Sequence, residues 1–276
     1  APGFDPDRLD SYPFPAFDLQ RQIPCVPLLT TRGCPFACAY CAAHLLESRR
    51  LRRSPASVVA ELVHWHRRWG VSDFVLYDDA FLADPDGHAL PVLDAIVRSG
   101  LEVRFHTPNA LHIRGITAET ARLMFKAGFT TLRLGLESAD FENRDLDRKV
   151  TAAEFDRAVR CLKNAGFTPR QIGAYLLVGL PGQEATAVAR SIGAVRRAGI
   201  TPVLAYYAPI PGTALWDRAA AASRYDLAAD PLCTNNAVLP CRREPFDWRR
   251  LSELKRLAGA PCWPGEGIDS PAPADL

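Results

Sequence analysis

The sequence predicts an α/β protein with six parallel strands, and three observations predict it. First, helical patterns repeatedly end in glycine plus an apolar residue: Trp69-Gly70-Val71, Ser99-Gly100-Leu101, Ala127-Gly128-Phe129, Ala165-Gly166-Phe167 and Ala198-Gly199-Ile200. Glycine just past a helix takes the left-handed conformation that caps the last carbonyls, and the apolar residue opens a buried strand. Second, the intervening segments alternate between strand-like and helix-like patterns, which requires a parallel sheet with right-handed crossovers. Third, 276 residues suit one barrel-sized core better than two small ones. Repeat counting leaves two architectures open: a partial barrel of six units or a flat doubly wound sheet.

Each element can be justified in order. Residues 1–24 are rich in proline and aromatics (Pro2, Phe4, Pro6, Tyr12, Pro13, Phe14, Pro15, Phe17), as in an extended linker lying on a surface. Strands are expected at 25–30, 73–77, 102–107, 130–135, 172–178 and 202–207. Ser54-Pro55 is an N-cap with a first-turn proline ahead of Val58, Leu62 and Trp65. Thr117 leads Ala121, Met124 and Phe125, and Thr151 leads Phe155, Val159 and Leu162; these apolar faces read as core. The barrel unit spans 25–222, and 223–276 form an extension with a short helix near 246–257 and a Pro/Gly-rich mobile tail from 261.

A net charge of +2 with mixed signs gives no general attraction to nucleic acid or membranes. The Arg49, Arg50, Arg52, Arg53 cluster reads as a solvated loop and helix start, or as a phosphate site. No apolar run is long enough to span a bilayer and no secretory signal opens the chain, so the expected location is the cytoplasm. The eight cysteines fit a reducing compartment better than a disulfide framework. Cys161 reads as core. Cys233, Cys241 and Cys262 read as ordinary thiols or, with Cys25, as ligands of an auxiliary cluster.

The chemistry is concentrated in Thr30-Thr31-Arg32-Gly33-Cys34-Pro35-Phe36-Ala37-Cys38-Ala39-Tyr40-Cys41, with three thiols at C-x3-C-x2-C spacing after a strand. Thiolates are soft ligands, so zinc and iron–sulfur clusters are the candidates. Zinc normally takes four ligands, and only His44 is near enough in sequence to be the fourth. A cubane held by three cysteines leaves one iron open.

This motif, with Tyr40 before the last cysteine, resembles the signature of radical S-adenosylmethionine (radical SAM) enzymes. The resemblance runs from about residue 10 to about 220 and is closest to the branch whose members often carry a cobalamin-binding domain. It implies a partial (β/α)6 TIM-like barrel. It also implies a 4Fe-4S cluster on Cys34, Cys38 and Cys41, with S-adenosylmethionine on the open iron and an electron donor such as flavodoxin or ferredoxin. One electron then yields a 5′-deoxyadenosyl radical that abstracts hydrogen from a small-molecule or peptide substrate. Cobalamin, and methyl transfer with it, would need a domain ahead of this chain.

Ligands of parallel sheets sit at the carboxyl ends of the strands. Asp78 and Asp79 stand where the family often has Gly-Gly-Glu, and would either approach the cofactor ammonium or cap a turn. Asn109 reaches the mouth or bonds its own backbone. Glu137 and Ser138 resemble residues that contact the ribose or amino-acid part of the cofactor, and a carboxylate at a buried strand end demands a partner. Arg148 resembles the basic residue used on the cofactor carboxylate, a planar anion that arginine suits. Gly179, in Gly-Leu-Pro-Gly, resembles a turn beside the adenine. Of Tyr206 and Tyr207 only one can face inward, to serve the substrate or to pack with its hydroxyl satisfied. Two other readings stay open: a zinc or iron–sulfur binding module without turnover, and a tRNA-modifying enzyme like the methylthiotransferases. The small net charge and the lack of an appended RNA-binding domain make nucleic acid the weaker partner.

Overall fold

In the computed structural model, which describes residues 5–241 and 248–259, eight strands and eight α-helices alternate along most of the chain. The strands are β1 (Val26–Leu28), β2 (Thr31–Arg32), β3 (Leu51–Arg52), β4 (Asp73–Leu76), β5 (Arg104–His106), β6 (Phe129–Glu137), β7 (Ile172–Val178) and β8 (Thr201–Tyr206). The helices are α1 (Ala43–Leu46), α2 (Pro55–Trp69), α3 (Leu90–Ser99), α4 (Ala118–Lys126), α5 (Ala152–Ala165), α6 (Ala185–Arg197), α7 (Trp216–Ala222) and α8 (Trp248–Gly259). Six strands pair in the order β1-β4-β5-β6-β7-β8, every pair parallel. They are the six expected ones, with ends displaced by a residue or two.

Alternation along these strands divides the sheet into two faces. Phe74, Leu76, Phe105, Leu132, Leu134, Leu136, Ile172, Ala174 and Leu176 are buried in one core with Val58, Leu62 and Trp65 of α2, Met124 of α4 and Leu162 of α5. The inner face, turned away from the helices, carries Asp73, Tyr77, Arg104, His106, Arg133, Gly135 and Tyr175, none of which joins that core. Pro27 lies on the edge strand β1, where a missing N–H leaves no ladder bond unmade.

The capping residues act as the sequence implies. Ser54 Oγ accepts from Ser57 N at 3.2 Å at the start of α2, and Thr151 and Glu154 form a capping box on α5. Gly70, Gly100 and Gly166 end their helices in the left-handed conformation.

Several expectations are revised. The N-terminal segment is not simply extended: it has 3-10 turns at Pro6–Ser11 and Phe17–Leu19, and the Phe17 and Phe14 rings pack at 5.6 and 5.4 Å on Trp65 and His64 of α2. Phe125 is not core but 45% exposed, its ring meeting Phe167 edge-on at the end of α4. The arginine cluster is split among separate partners: Arg50 donates to Ala80 O, Arg52 pairs with Asp84, and Arg53 pairs with the buried Glu61. The C-terminal helix expected near 246–257 spans Trp248–Gly259, with 246 and 247 outside the described residues; Leu251 and Leu254 are buried, and α8 packs on α6 and β8. Cys262 and the tail from 261 lie outside the described residues. Among the described residues, no helix is long and apolar enough to cross a membrane.

Candidate active site

The cysteine motif occupies the loop between β2 and β3, which pair antiparallel (Thr31 with Arg52, Arg32 with Leu51) and so close the loop at its base. Below this ribbon Asp78, at the end of β4, is buried and accepts from Thr30 Oγ1 at 2.7 Å, Thr31 Oγ1 at 2.6 Å and the amides of both threonines. Burial pushes its carboxyl up, and these four donors oppose the shift. Asp79 accepts from Gly33 N at 3.2 Å. Both aspartates are thus engaged by the root of the cysteine loop, Asp78 chiefly through Oδ1. Asn109 Nδ2 donates to Tyr77 O at 2.8 Å, tying the β5 exit to the same rim.

Cys38 is buried, and Cys34 and Cys41 are half-buried. Burial raises the Cys34 thiol, and the neighbouring Cys38 and Cys41 raise it further; burial likewise raises Cys38, while Lys149 favours its thiolate. The three thiols therefore share one neighbourhood. Among the described residues, however, no three His, Cys, Asp or Glu side chains converge closely enough to hold a single metal ion. The loop is stitched to its surroundings by Ala39 N to Leu146 O at 2.8 Å and by Leu215 N to Ala39 O at 2.9 Å.

Beside Cys38 lies a buried polar chain. Lys149 Nζ donates to Glu137 Oε1 at 2.6 Å and to Tyr40 Oη at 3.0 Å. Tyr40 Oη also donates to Asp147 at 3.4 Å, and Asp147 pairs with Arg144 at 2.8 Å. Burial, and then the Glu137 charge, push the Tyr40 phenol far up, so it stays protonated. Glu137 holds its place with φ of 62°, a strained value for a non-glycine residue.

Three of the expected site residues lie differently. Arg148 is exposed with φ of 45°, its carbonyl accepting from Arg114 at 3.2 Å and its amide donating to Arg144 O at 3.3 Å; the basic group brought to Glu137 and Tyr40 is its neighbour Lys149. The backbone turn at Arg148 sends the two adjacent side chains apart. Ser138 Oγ accepts from Asp140 N at 3.1 Å, a local turn contact. Gly179, with φ of 92°, donates its amide to Gln183 at 2.8 Å, and a Cβ there would lie 3.0 Å from Leu239 Cδ2.

Sequence reasoning missed His112 as well as Lys149. The His112 ring stacks on Phe36 at 4.5 Å and its Nε2 lies 4.0 Å from Cys34 Sγ, while its buried Nδ1 has no partner among the described residues. Burial pushes its pKa down to about 3. A single histidine in Leu-His-Ile carries no local signal of such a contact. Tyr207 is buried with its hydroxyl unpartnered among the described residues, where a satisfied hydroxyl was one of the two expectations, and Tyr206 packs under Lys255. Cys161, Cys233 and Cys241 are free thiols, Cys241 pushed up to about 11 by burial. A cavity of about 710 Å³ opens beside the loop root, between Tyr12, Phe14 and Phe17 on one side and Leu29, Arg32 and Tyr77 on the other.

A parallel α/β sheet with a three-cysteine loop at the carboxyl end of its first strand defines a class of cluster-binding enzyme barrels. A model of the Radical SAM superfamily matches residues 28–195, and the chain belongs to that superfamily. An uncharacterized methyltransferase of Pyrococcus horikoshii is 26% identical over 224 residues, 78% of this chain and 48% of its own length. The hopanoid C-3 methylase of Methylococcus capsulatus is 27% identical over 177 residues, 60% of this chain and 33% of its own. The chain thus spans half or less of these relatives. The radical S-adenosylmethionine methyltransferase TsrM of Kitasatospora setae, solved with tryptophan substrate and a SAM analogue, superposes with a TM-score of 0.62 at 21% identity, over 72% of this chain and 40% of that one. A second TsrM structure holds cobalamin and a 4Fe-4S cluster. The likeness shows the sheet to be the partial barrel rather than the flat alternative.

Proposed function

We propose that the chain is the catalytic barrel of a radical SAM enzyme, with Cys34, Cys38 and Cys41 holding a 4Fe-4S cluster. The observation that carries this reading is the placement of Cys38, on one loop with Cys34 and Cys41, beside the Tyr40–Lys149–Glu137 chain at the carboxyl rim of a parallel sheet. When bound, the cluster supplies the electron that cleaves S-adenosylmethionine to a 5′-deoxyadenosyl radical.

The protein's own part is placement. Asp78, Asp79 and the β2–β3 ribbon fix the loop that presents the thiols. Lys149 offers a cation for the cofactor carboxylate, with Glu137 orienting it and Tyr40 screening it from water. The neutral His112 beside Cys34 adds no positive charge next to the thiolate. Gly179 and Ser138 remain proposed cofactor contacts through backbone that their own turns hold in place. The methyltransferase relatives make methyl transfer the favoured overall reaction, with cobalamin carried by a domain outside this chain. We assign the substrate to the small-molecule or peptide class, the donor to a flavodoxin or ferredoxin, and the enzyme to a reducing compartment such as the cytoplasm, where exposed thiols survive.

Anaerobic reconstitution with iron and sulfide, then dithionite and S-adenosylmethionine, tests the reading. Cluster absorbance and 5′-deoxyadenosine are expected, both lost in Cys38→Ala. A colourless protein with one zinc on the same cysteines and no cleavage would sink it.

A further inference from the structure

The inner face of the barrel carries charges that the cofactor site does not use. At its floor Asp73 is fully engaged: Arg104 Nε donates to it at 2.7 Å, and His106 Nε2 meets it at 3.0 Å. The other ring nitrogen of His106 meets Thr131 Oγ1 at 3.0 Å. Above this closed set, on the same face of β6, stands Arg133. The residue is half-buried, and among the described residues its guanidinium makes one hydrogen bond, from Nη1 to Leu132 O at 3.0 Å, and pairs with no carboxylate. Among the described residues, four of its five N–H donors have no protein acceptor.

The surroundings are shaped to this side chain. Arg133 is in register with Gly173 of β7, and a Cβ at Gly173 would come within 3.0 Å of Arg133 Nη1 and 3.2 Å of its Cδ. The arginine therefore lies across a strand whose side chain has been omitted. One step higher, Gly135 leaves the same kind of space for Glu137 and Lys149, whose polar atoms would lie 3.2 and 3.3 Å from a Cβ there. Two glycines on adjacent strands thus make room on one face for the Arg133 side chain and, above it, for the Lys149–Glu137 pair.

We propose that Arg133 anchors an anionic group of the substrate, a carboxylate or phosphoryl oxyanion, below the cofactor site. A planar guanidinium with free donors matches either anion through paired hydrogen bonds, and a partly dry setting strengthens them. Arg133 is four residues from Glu137 along β6, about 13 Å at roughly 3.3 Å per residue, which sets the scale of the separation between the anion and the Lys149–Glu137 pair. The reach of the arginine side chain shortens it. The inference rests on the radical SAM reading for the word substrate, but the anion site does not.

Calorimetric titration of the full chain with inorganic phosphate, and separately with succinate, tests it in wild type, Arg133→Gln and Arg133→Lys. Saturable binding of one equivalent is expected in the wild type, weakened at least tenfold in Arg133→Gln and less in Arg133→Lys, with unchanged melting temperatures in buffer lacking either anion. Tighter phosphate binding would assign a phosphoryl group, tighter succinate a carboxylate. Equal affinity in wild type and Arg133→Gln, or no saturable binding of either anion, would overturn the proposal. Because these titrations need no cluster, anion binding without 5′-deoxyadenosine would retain the anchor and remove the radical reading, and the reverse result would do the opposite.

Discussion

Lys149 shows how one residue joins stability to the site. It is buried against Glu137, Tyr40 and Cys38, so its removal leaves the Glu137 charge without a cation. Lys149→Met is expected to cost about 3–5 kcal/mol, the usual penalty for breaking a buried ion pair from one side. The double variant Lys149→Met/Glu137→Gln should regain most of it, as denaturant unfolding of the three proteins would show. A double variant no more stable than Lys149→Met would mean that packing, not charge, governs the position. Glu137 was legible because a carboxylate ending an apolar strand has to be compensated. Its partner was not, since Asp-Arg-Lys-Val offers two adjacent cations and only the backbone turn at Arg148, with φ of 45°, decides which one points inward.

At the scale of elements, the cysteine loop depends on the ribbon that closes it. Gly33 sits at the first turn beyond β2 with φ of 79°, and a Cβ there would come within 2.4 Å of Arg49 O. Gly33→Ala is therefore expected to pry the ribbon apart while leaving the six-stranded sheet intact: reconstituted iron content should fall severalfold, with far-ultraviolet circular dichroism unchanged. Full iron loading in the variant would show that the loop tolerates an open base. The ribbon escaped sequence reading because two-residue strands carry no periodicity, whereas the glycine-capped helices and the strands β4 to β8 announced themselves through repeated local chemistry. Phe125 was misread for a related reason, since a position at the end of a helical face is core only when a neighbour covers it.

For the whole molecule, acid is the informative stress. His88 is buried against Thr30 Oγ1 at 2.9 Å, and burial, with Arg50 and Arg52, pushes its pKa down to about 4 from 6.5. The unfolded chain takes up this proton first, so the contribution of His88 is complete above about pH 6.5 and is lost as pH falls toward 4. Asp73, held at about 2 by Arg104 and His106, adds a second loss at lower pH, below its ordinary 3.8. Melting temperature should decline between pH 7 and 4, and His88→Gln should flatten that decline; an unchanged slope would remove His88 as a cause. The barrel class was readable from the cysteine motif and the repeat together. The inner face was not, because register alone sets Arg133 over Gly173. The strand order has a consequence for biogenesis. Each strand of the main sheet pairs with the sheet strand that precedes it in the chain, so the sheet can grow by addition at one edge as the polypeptide leaves the ribosome, at low topological cost. The cysteine loop, lying between the first two of these strands, gains its Asp78 and Asp79 anchors early in synthesis, while its ties to Leu146 and Leu215 wait for elements made later.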